Sequence, residues 1–356
     1  MLALCVSNGN QEMSQTTSLS PTPDVAVVVT TYNRSQFLSE TIESVINQKF
    51  DGRTELVIVD DGSTDNTADL VDLYCRRFSD PFGDLLIRYV FQDNQGLAVA
   101  RNTGVFKTNA PLIAFIDDDD LVEPTKTQAQ VDAFHQDPQV GLVHASFRYV
   151  DYQGRLNLGD RSQPQRVDNP CVGSCVNVLL NELLVISSTV MVRRQILMQA
   201  AALEPHGLPY DPKWVRSQDY DMALRMARIS KFAYIATPQL RYRLHDSNIA
   251  MSKGNIKTAY EYHCRVQIDF VRRYGHEFGI DENEVKQRAG TFLLQRANSC
   301  FWRRRFTTAL EICDLADEME IGHEAFQAVR AKASRPVWIY KAKDYIDRIL
   351  GRDTYP

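Results

Sequence analysis

The chain of 356 residues has little cysteine, no long apolar run and no excess of positive charge, and each shortage excludes a class of protein. Its seven cysteines are scattered and odd in number, which argues against a disulfide framework and favours reduced thiols in the cytoplasm. No segment approaches the roughly 20 apolar residues that a membrane-spanning helix needs. The formal net charge of −5 argues against nucleic acid as a partner. The expected location is therefore the cytoplasm.

The length and the first residues bear on domain organisation. A chain of 356 residues is longer than one hydrophobic core normally organises, so we expect a main domain with an appended region. Residues 1–23 start with a five-residue apolar stretch, too short for a secretory signal, and continue rich in Ser, Thr, Gln and Pro. We predict that this segment is disordered.

Four consecutive aspartates, Asp117 to Asp120, directly follow the apolar run Pro111–Ile116. A strand buried in a sheet is expected to end there in a cluster of negative charge. Like charges this close repel each other, and they would not approach a low-dielectric core unless a cation offset them. Oxygen ligands at the end of a strand suit a hard divalent ion, Mg²⁺ or Mn²⁺, shared with the phosphates of a nucleotide. Taken alone, an acidic run is more simply a solvated turn.

The residues before this acidic run alternate between strand and helix patterns. Three short runs rich in β-branched or apolar residues lead into polar turns: Val25–Val29, Glu55–Val59 and Leu85–Phe91. Helical spacing follows each of them, over Phe37–Ile46, over Thr67–Tyr74, and in a segment that Gly96 opens and that carries Arg101. Four strands alternating with helices predict a mostly parallel sheet that gathers ligands at the carboxyl ends of its strands.

Five motifs in this order resemble those of family 2 glycosyltransferases with the GT-A fold: Val27–Arg34, Val57–Asp65, Asn94–Gly104, Ala114–Asp120 and Gln218–Arg225. The resemblance implies an α/β fold, in which a Rossmann-like nucleotide-binding sheet has helices on both faces. It covers roughly residues 24 to 250, so we predict a GT-A domain over residues 24–253. Its nucleotide-binding half would be 24–120 and its acceptor half 121–253, with a C-terminal α-helical region over 254–356.

The same resemblance implies an activity. It predicts a metal-dependent, inverting glycosyltransferase (a hexosyltransferase or similar) that moves a sugar from a nucleoside diphosphate to a hydroxyl of a glycan or lipid-linked acceptor in cell-surface polysaccharide synthesis. A UDP-sugar is the favoured donor and a GDP-sugar the runner-up. The alternative is a catalytically silent nucleotide-sugar-binding or scaffold protein that acts through its C-terminal helices.

The resemblance also assigns residues to the metal and the nucleotide. Asp119 would ligate the ion directly, and His245 either completes the metal shell or is structural. A mixed nitrogen and carboxylate shell favours Mn²⁺ over Mg²⁺. Asp120 is more simply a cap for a helix beginning near Pro124. The implied nucleotide-binding set is Thr30, Tyr32, Arg34, Asp60, Arg101, Asp117 and Asp118.

Within that set, individual roles are predicted for five residues, of which Thr30 and Tyr32 would line the base and ribose. Asp60 would accept the N3–H of a uracil-type base, and Arg101 would meet the diphosphate. Asp117 would reach the ribose, or the metal through water. Because alternate side chains of an extended segment share a side, Asp117 and Asp119 are expected to converge while Asp118 points away. Two acids that follow Asp60 in the chain, Asp61 and Asp65, are interpreted as turn and cap residues.

The candidate general base lies much later in the chain. By the resemblance, Asp219 takes the proton of the acceptor hydroxyl, although Gln218 stands where the family usually has Glu. Asp221 is the alternative base, and a helix-cap role is the structural alternative for Asp219.

The acceptor half has weaker patterns. Strands are predicted over Val140–Val150 and Val185–Val192, separated by a loop over 153–175, and a closing strand starts at Phe232. Cys171 and Cys175 lack a second pair of ligands, so they are interpreted as ordinary residues rather than a zinc site.

The residues after 254 show helical spacing, which predicts several packed helices and faintly suggests one helical-hairpin repeat. The tail Arg330–Pro356 interleaves basic and apolar residues. Such a segment suits peripheral contact with an anionic membrane surface, but packing against the preceding helices is the favoured alternative.

Overall fold

The computed structural model describes residues 21–165, 170–181, 185–245 and 256–335. The chain divides into two compact units, Met1–His245 and Asp246–Pro356. The boundary predicted between residues 253 and 254 and most of the segment predicted to be disordered lie outside the described residues. Residues 336–356, the larger part of the tail for which membrane contact is predicted as one alternative, also lie outside the described residues.

The described part of the first unit contains eight strands in one sheet, in the order β3-β2-β1-β4-β7-β6-β8-β5. The strands are β1 (Val25–Thr31), β2 (Thr54–Asp60), β3 (Leu85–Phe91), β4 (Leu112–Asp117), β5 (Leu121–Val122), β6 (Val140–Val150), β7 (Met191–Arg193) and β8 (Lys231–Arg243). The helices of this unit are α1 (Ser35–Ile46), α2 (Thr67–Phe78), α3 (Leu97–Phe106), α4 (Lys126–Gln136), α5 (Val176–Asn181), α6 (Arg194–Ala202) and α7 (Gln218–Ala227). Two short 3-10 turns, Gly159–Ser162 and Ser187–Thr189, join them. The predicted α/β class is confirmed.

Strands β3, β2, β1 and β4 form a parallel half, as their sequences predict. Every residue of β1 and β2 is buried, because helices cover both faces of a parallel sheet and favour continuous β-branched runs. The pairing register sets Thr31 beside Asp60 and Thr30 beside Asp117. The polar ends of three neighbouring strands therefore meet at one edge of the sheet.

The other half of the sheet is mixed. Strand β7 runs antiparallel to β4 and β6, whereas β6 and β8 are parallel. The prediction of a strand over Val185–Val192 is wrong for most of its length, since Ser187–Thr189 is a 3-10 turn and β7 is Met191–Arg193. The Thr189 hydroxyl donates to the Ile186 carbonyl at 2.7 Å, and such local side-chain bonds compete with a strand ladder.

The described part of the second unit consists of four helices: α8 (Ile256–Phe278), α9 (Glu282–Trp302), α10 (Phe306–Glu318) and α11 (Glu324–Ala333). The predicted helical region is confirmed over these residues. The Asp281 side chain caps α9 by accepting from the Asn283 N–H at 2.7 Å. Small and large apolar residues alternate in the core of this unit, among them Ala289, Leu293, Ala309, Ile312 and Phe326. No helix in the described residues of either unit is long and apolar enough to cross a bilayer.

Candidate active site

The four aspartates form a turn at the end of β4, which we name the acid turn (Asp117–Asp120). The turn closes through a hydrogen bond from the Asp120 N–H to the Asp117 carbonyl at 3.2 Å. The Thr41 hydroxyl of α1 lies 2.9 Å from the carbonyl oxygens of both Asp118 and Asp120. Helix α1 therefore fixes the backbone of the acid turn.

Two arginines stand against the carboxylates of the acid turn. Arg34 Nη1 lies 2.6 Å from Asp119 Oδ2 and 3.2 Å from Asp118 Oδ1. Arg101 Nη2 lies 2.8 Å from Asp117 Oδ1. The offsetting positive charge that the sequence requires is thus supplied in part by guanidinium groups.

The expectation that Asp118 points away from its neighbours is wrong. Strand geometry ends at Asp117, and residues 118 and 119 belong to the turn, so the alternation of side chains stops there. Asp118 and Asp119 consequently reach the same nitrogen of Arg34, while Asp117 turns to Arg101.

Burial disfavours the ionised form of the carboxylates in the acid turn, and the two arginines do not fully offset this effect. Burial, followed by the charge of Asp119, raises the pKa of Asp118 from 3.8 to about 7, although Arg34 acts in the opposite direction. Burial also raises the pKa of Asp117, against the effect of Arg101, and that of Asp120, where Asp119 and Asp117 add to it. A further cation at this turn would therefore stabilise the ionised carboxylates.

Asp119 and His245 are placed as two ligands of one ion would be. His245 Nε2 lies 3.0 Å from Asp119 Oδ2, and its ring stacks on Phe37 with the centroids 4.7 Å apart. Two neighbouring ligands of an octahedral ion, each at about 2.1 Å, are about 3.0 Å apart. Within the described residues no three His, Cys, Asp or Glu side chains group as a metal site. The pair therefore fits an ion that takes its remaining ligands from substrate phosphates and water, as Mg²⁺ commonly does.

Arg243, at the end of β8, also holds the acid turn, and sequence reasoning missed it. Its side chain is fully buried, with Nε donating to the Asp119 carbonyl at 2.9 Å and Nη2 to Glu40 Oε2, also at 2.9 Å. Its backbone N–H donates to Asp120 Oδ1 at 3.1 Å. The available signal was an arginine two residues before His245 at the end of a predicted strand. Arg243 thereby positions the acid turn.

Asp120 does not cap a helix, contrary to the sequence interpretation. Helix α4 begins at Lys126 with Thr125 at its N-cap position, five residues beyond Asp120. The Asp120 side chain is fully buried and accepts the Arg243 N–H, since the chain first forms β5 against β8.

On the nucleotide side, Asp60 is buried with both of its carboxylate oxygens engaged. Oδ1 accepts from the Ser63 N–H and Oδ2 from the Tyr89 hydroxyl, each at 2.7 Å. Each oxygen retains a second lone pair that could accept a base N–H. Thr30 is buried beside Asp117 in the sheet register, whereas the Tyr32 ring is about half exposed and available for stacking.

Asp61 and Asp65 bind backbone N–H groups. Asp61 accepts from Gln95 at 3.0 Å and from Gly96, the N-cap of α3, at 2.9 Å. Asp65 accepts from Thr67 at 3.1 Å and from Ser35 at 3.0 Å, and these bonds lower its pKa. Asp65 thus bonds within its own turn and to the start of α1, whereas Asp61 joins the end of β2 to the start of α3, a long-range contact that the interpretation as a turn residue does not include.

Asp219 and Asp221, two residues apart in α7, have opposite environments. Asp219 is half-buried, and its charge contributes to raising the pKa values of Asp117 and Arg101, which places it near the acid turn. Asp221 is buried and bonds both Nε and Nη2 of Arg225, at 2.9 and 2.8 Å. Arg225 in turn donates to the carbonyls of Leu208 and Pro209. Asp221 therefore holds the preceding loop, and Asp219 is the acid that the structure brings to the candidate site.

A second contact missed by sequence reasoning joins α3 to that loop. The Asn102 side chain accepts the Tyr210 N–H at 2.9 Å and donates to the Tyr210 carbonyl at 2.7 Å. The guanidinium of Arg101 lies 5.5 Å from the centroid of the Tyr210 ring. No local sequence pattern predicts this pairing, because its partners are far apart in the chain.

Comparison with known proteins identifies the class. Residues 26–198 match the family described as glycosyl transferase family 2. An uncharacterized glycosyltransferase of Nostoc sp. is 27% identical over 255 residues, covering 71% of this chain and 75% of that protein. Chondroitin synthase of Escherichia coli is 24% identical over 265 residues, covering 74% of this chain but 35% of that protein.

Solved structures show the same fold. The crystal structure of S. aureus TarS 1–349 has a TM-score of 0.54 at 16% identity, covering 87% of this chain and 88% of that one. Its complex with UDP-GlcNAc gives a TM-score of 0.56 at the same identity and coverage. The chain is a glycosyltransferase with the GT-A fold. Its residues 26–198 match the family 2 model, and the predicted fold and class of enzyme are confirmed.

Proposed function

We propose that this glycosyltransferase moves a sugar, with inversion, from a UDP-sugar to a hydroxyl of a glycan or lipid-linked acceptor, in the presence of Mn²⁺ or Mg²⁺. The proposal rests on three features that the first unit combines. Burial raises the pKa values of carboxylates in the acid turn, Asp119 is paired with His245, and the Asp219 carboxylate is half-buried. A solved structure of the same fold is a complex with UDP-GlcNAc, which supports a UDP-sugar as donor.

The leaving diphosphate needs positive charge. Asp119 and His245 would hold the divalent ion, which neutralises the charge that develops on the departing diphosphate. The guanidinium of Arg34 lies next to Asp119, and that of Arg101 lies next to Asp117. A guanidinium group matches the geometry of a phosphate well. Burial of the acid turn strengthens these electrostatic interactions.

The base specificity would depend on Asp60. One of its oxygens would accept the N3–H of uracil, whereas cytosine has no proton there. Guanine also presents an N–H edge, so a GDP-sugar is the second candidate. We expect calorimetry to show tighter binding of UDP than of CDP in the wild-type protein. Equal affinities would remove Asp60 from this role.

The chemical step would depend on Asp219. Its carboxylate takes the proton of the acceptor hydroxyl as that oxygen attacks the anomeric carbon from the face opposite the diphosphate. The bond to the diphosphate breaks as the new glycosidic bond forms, so the configuration at the anomeric carbon inverts. Asp221 is buried against Arg225 and would have no part in this step.

We further propose a role in cell-surface polysaccharide synthesis at the cytoplasmic face of the membrane. The name of the E. coli relative, chondroitin synthase, supports a polysaccharide product. A screen of nucleotide sugars by thermal shift with Mn²⁺, followed by donor hydrolysis with and without the metal, tests the proposal. We expect a UDP-sugar to stabilise the protein most and EDTA to abolish its turnover. Binding without any turnover would instead favour the silent nucleotide-sugar-binding protein.

A further inference from the structure

We infer that Arg34 is a built-in counter-cation of the acid turn that makes the divalent ion and the nucleotide bind together rather than the ion alone. The inference rests on the metal-dependent function proposed above. It goes beyond that function in assigning to Arg34 a part of the dependence of metal affinity on nucleotide.

The backbone of Arg34 is anchored at the start of α1. Its carbonyl accepts the N–H groups of Phe37 at 3.0 Å and Leu38 at 3.1 Å. Its side chain is 20% exposed and extends to the acid turn, where Nη1 contacts both Asp118 and Asp119. The anchored backbone keeps the guanidinium near the turn, and the side chain is partly exposed, unlike those of Arg101 and Arg243.

Arg34 contacts the oxygen that an ion would use. Asp119 Oδ2 receives Arg34 Nη1 at 2.6 Å and His245 Nε2 at 3.0 Å. A carboxylate oxygen has two lone pairs, so these two contacts use both of them. An ion held by Asp119 and His245 would replace the contact between these two residues and would stand close to a guanidinium of like charge. Arg34 therefore opposes binding of the ion by itself.

A diphosphate changes this balance. Its oxygens offer the guanidinium a bidentate acceptor, which is a stronger partner than a single carboxylate oxygen. Arg34 can then leave Asp119 for the diphosphate, and the ion gains both Asp119 and phosphate ligands. Each ligand thus raises the affinity for the other, as linkage requires.

The other arginines of the site are not equivalent. Arg101 is 3% exposed and bonds Asp117, and Arg243 is fully buried and bonds the carbonyl rather than the carboxylate of Asp119. Arg34, in contrast, joins its guanidinium to the Asp119 carboxylate. Arg34 is therefore the residue to change.

The test measures Mn²⁺ binding by titration calorimetry, with and without UDP, in the wild-type protein, Arg34→Met and Arg34→Lys. We expect the wild-type protein to bind Mn²⁺ at least about tenfold more tightly with UDP present, within the usual range of coupling between sites. Arg34→Met should bind Mn²⁺ alone about tenfold more tightly than wild type, and UDP should then improve its affinity much less. Arg34→Lys keeps the charge and should stay close to wild type.

A matched control is Arg88→Met, which removes another partly exposed arginine paired with a carboxylate, Glu55 at 2.8 Å, away from the acid turn. Its Mn²⁺ affinity should equal that of wild type. Melting temperatures in EDTA identify folded variants. If Arg34→Met does not fold, Arg34→Gln replaces it, because glutamine also removes the positive charge. A folded Arg34→Gln that binds Mn²⁺ alone no more tightly than wild type would contradict the inference.

Two negative outcomes are distinguishable. If wild type binds Mn²⁺ with UDP but folded Arg34→Met binds Mn²⁺ alone no more tightly, the inference about Arg34 is overturned and the metal-dependent function stands. If neither protein binds Mn²⁺ even with saturating UDP, the metal dependence itself fails.

Discussion

In the parallel half of the sheet, β3-β2-β1-β4, candidate residues follow their strands directly along the chain, whereas the mixed half, β7-β6-β8-β5, contributes residues that only the topology brings to the site. Asp60 and Asp117 are the last residues of β2 and β4. Arg243 and His245 reach the same acid turn from the end of β8, much later in the sequence. The comparison teaches that the residues of the parallel half can be located from local pattern, whereas the residues that the mixed half contributes to the acid turn depend on long-range pairing.

The strongest test of the acceptor side is Asp219→Asn. The substitution preserves size and most hydrogen bonds but removes the base, so turnover should fall by about 10²–10⁴-fold while Mn²⁺ and UDP bind as before. Single-turnover kinetics with calorimetry would measure both. Should Asp219→Asn transfer sugar at the parental rate, the base lies elsewhere and the acceptor side must be reassigned.

Asp221→Asn provides the contrast within the same helix. Breaking the buried pair with Arg225 should lower the free energy of unfolding by about 3–5 kcal/mol, because an unpaired guanidinium stays buried. Below its melting temperature, the folded variant should turn over within a few-fold of wild type. Denaturant unfolding and initial rates measured on one preparation separate the two effects, and a stable but inactive Asp221→Asn would exchange the roles of the two acids.

On the donor side, Asp119→Ala should weaken binding itself. Loss of this carboxylate removes a candidate ligand and the partner of both Arg34 and His245, so UDP affinity in Mn²⁺ should fall by at least about 10–100-fold, a loss usual even for outer-shell partners of metal ligands. UDP binding in EDTA should change much less. Equal losses with and without metal would show that Asp119 contributes charge and not metal binding.

A separate expected effect, on stability rather than on binding or turnover, is the pH dependence at Asp118. Its pKa in the folded protein is about 7 against 3.8 in the unfolded chain, so the folded state holds this proton more tightly. The stability from this proton is complete below about pH 4 and is lost as the pH rises to about 7. In EDTA, the melting temperature of wild type minus that of Asp118→Asn should therefore decline over this range, by about 2–4 °C for each kcal/mol, and level off above it.

Comparing the two proteins also removes a background effect. Burial lowers the pKa of His144 to about 4, which gives stability the opposite slope over nearly the same range, but this residue is common to both proteins. A melting-temperature difference that does not vary with pH would show that Asp118 is already ionised in the folded protein.

Much of the parallel half could be predicted from the sequence. The sequence predicts the strand Leu85–Phe91 and the start of α3 after Gly96 correctly, because a run of apolar and aromatic residues and the turn residues after it leave strong local signals. The acid turn was located, but the counter-charge was not fully foreseen, since the reach of Arg34 to Asp118 and Asp119 depends on how α1 packs.

The mixed half was less accessible to sequence reasoning. The turn at Ser187–Thr189 lies inside a run that looks like a strand, and hydroxyl groups decide its conformation. Arg243 looks like an ordinary strand residue, and nothing local shows that its guanidinium is fully buried against the acid turn. Such positions are defined by tertiary contacts and leave no periodic signal.

The clamp between Asn102 and Tyr210 has a consequence for engineering. The Asn102 side-chain amide forms hydrogen bonds with both the N–H and the carbonyl of Tyr210, as a neighbouring strand would. These bonds hold the loop before α7 against α3, a helix of the parallel half. If acceptor segments were exchanged between relatives, the incoming loop would be held in place only when α3 keeps an asparagine at position 102. Chimeras that join the two halves after β4 should therefore be made in two versions, with and without this residue matched to the incoming loop.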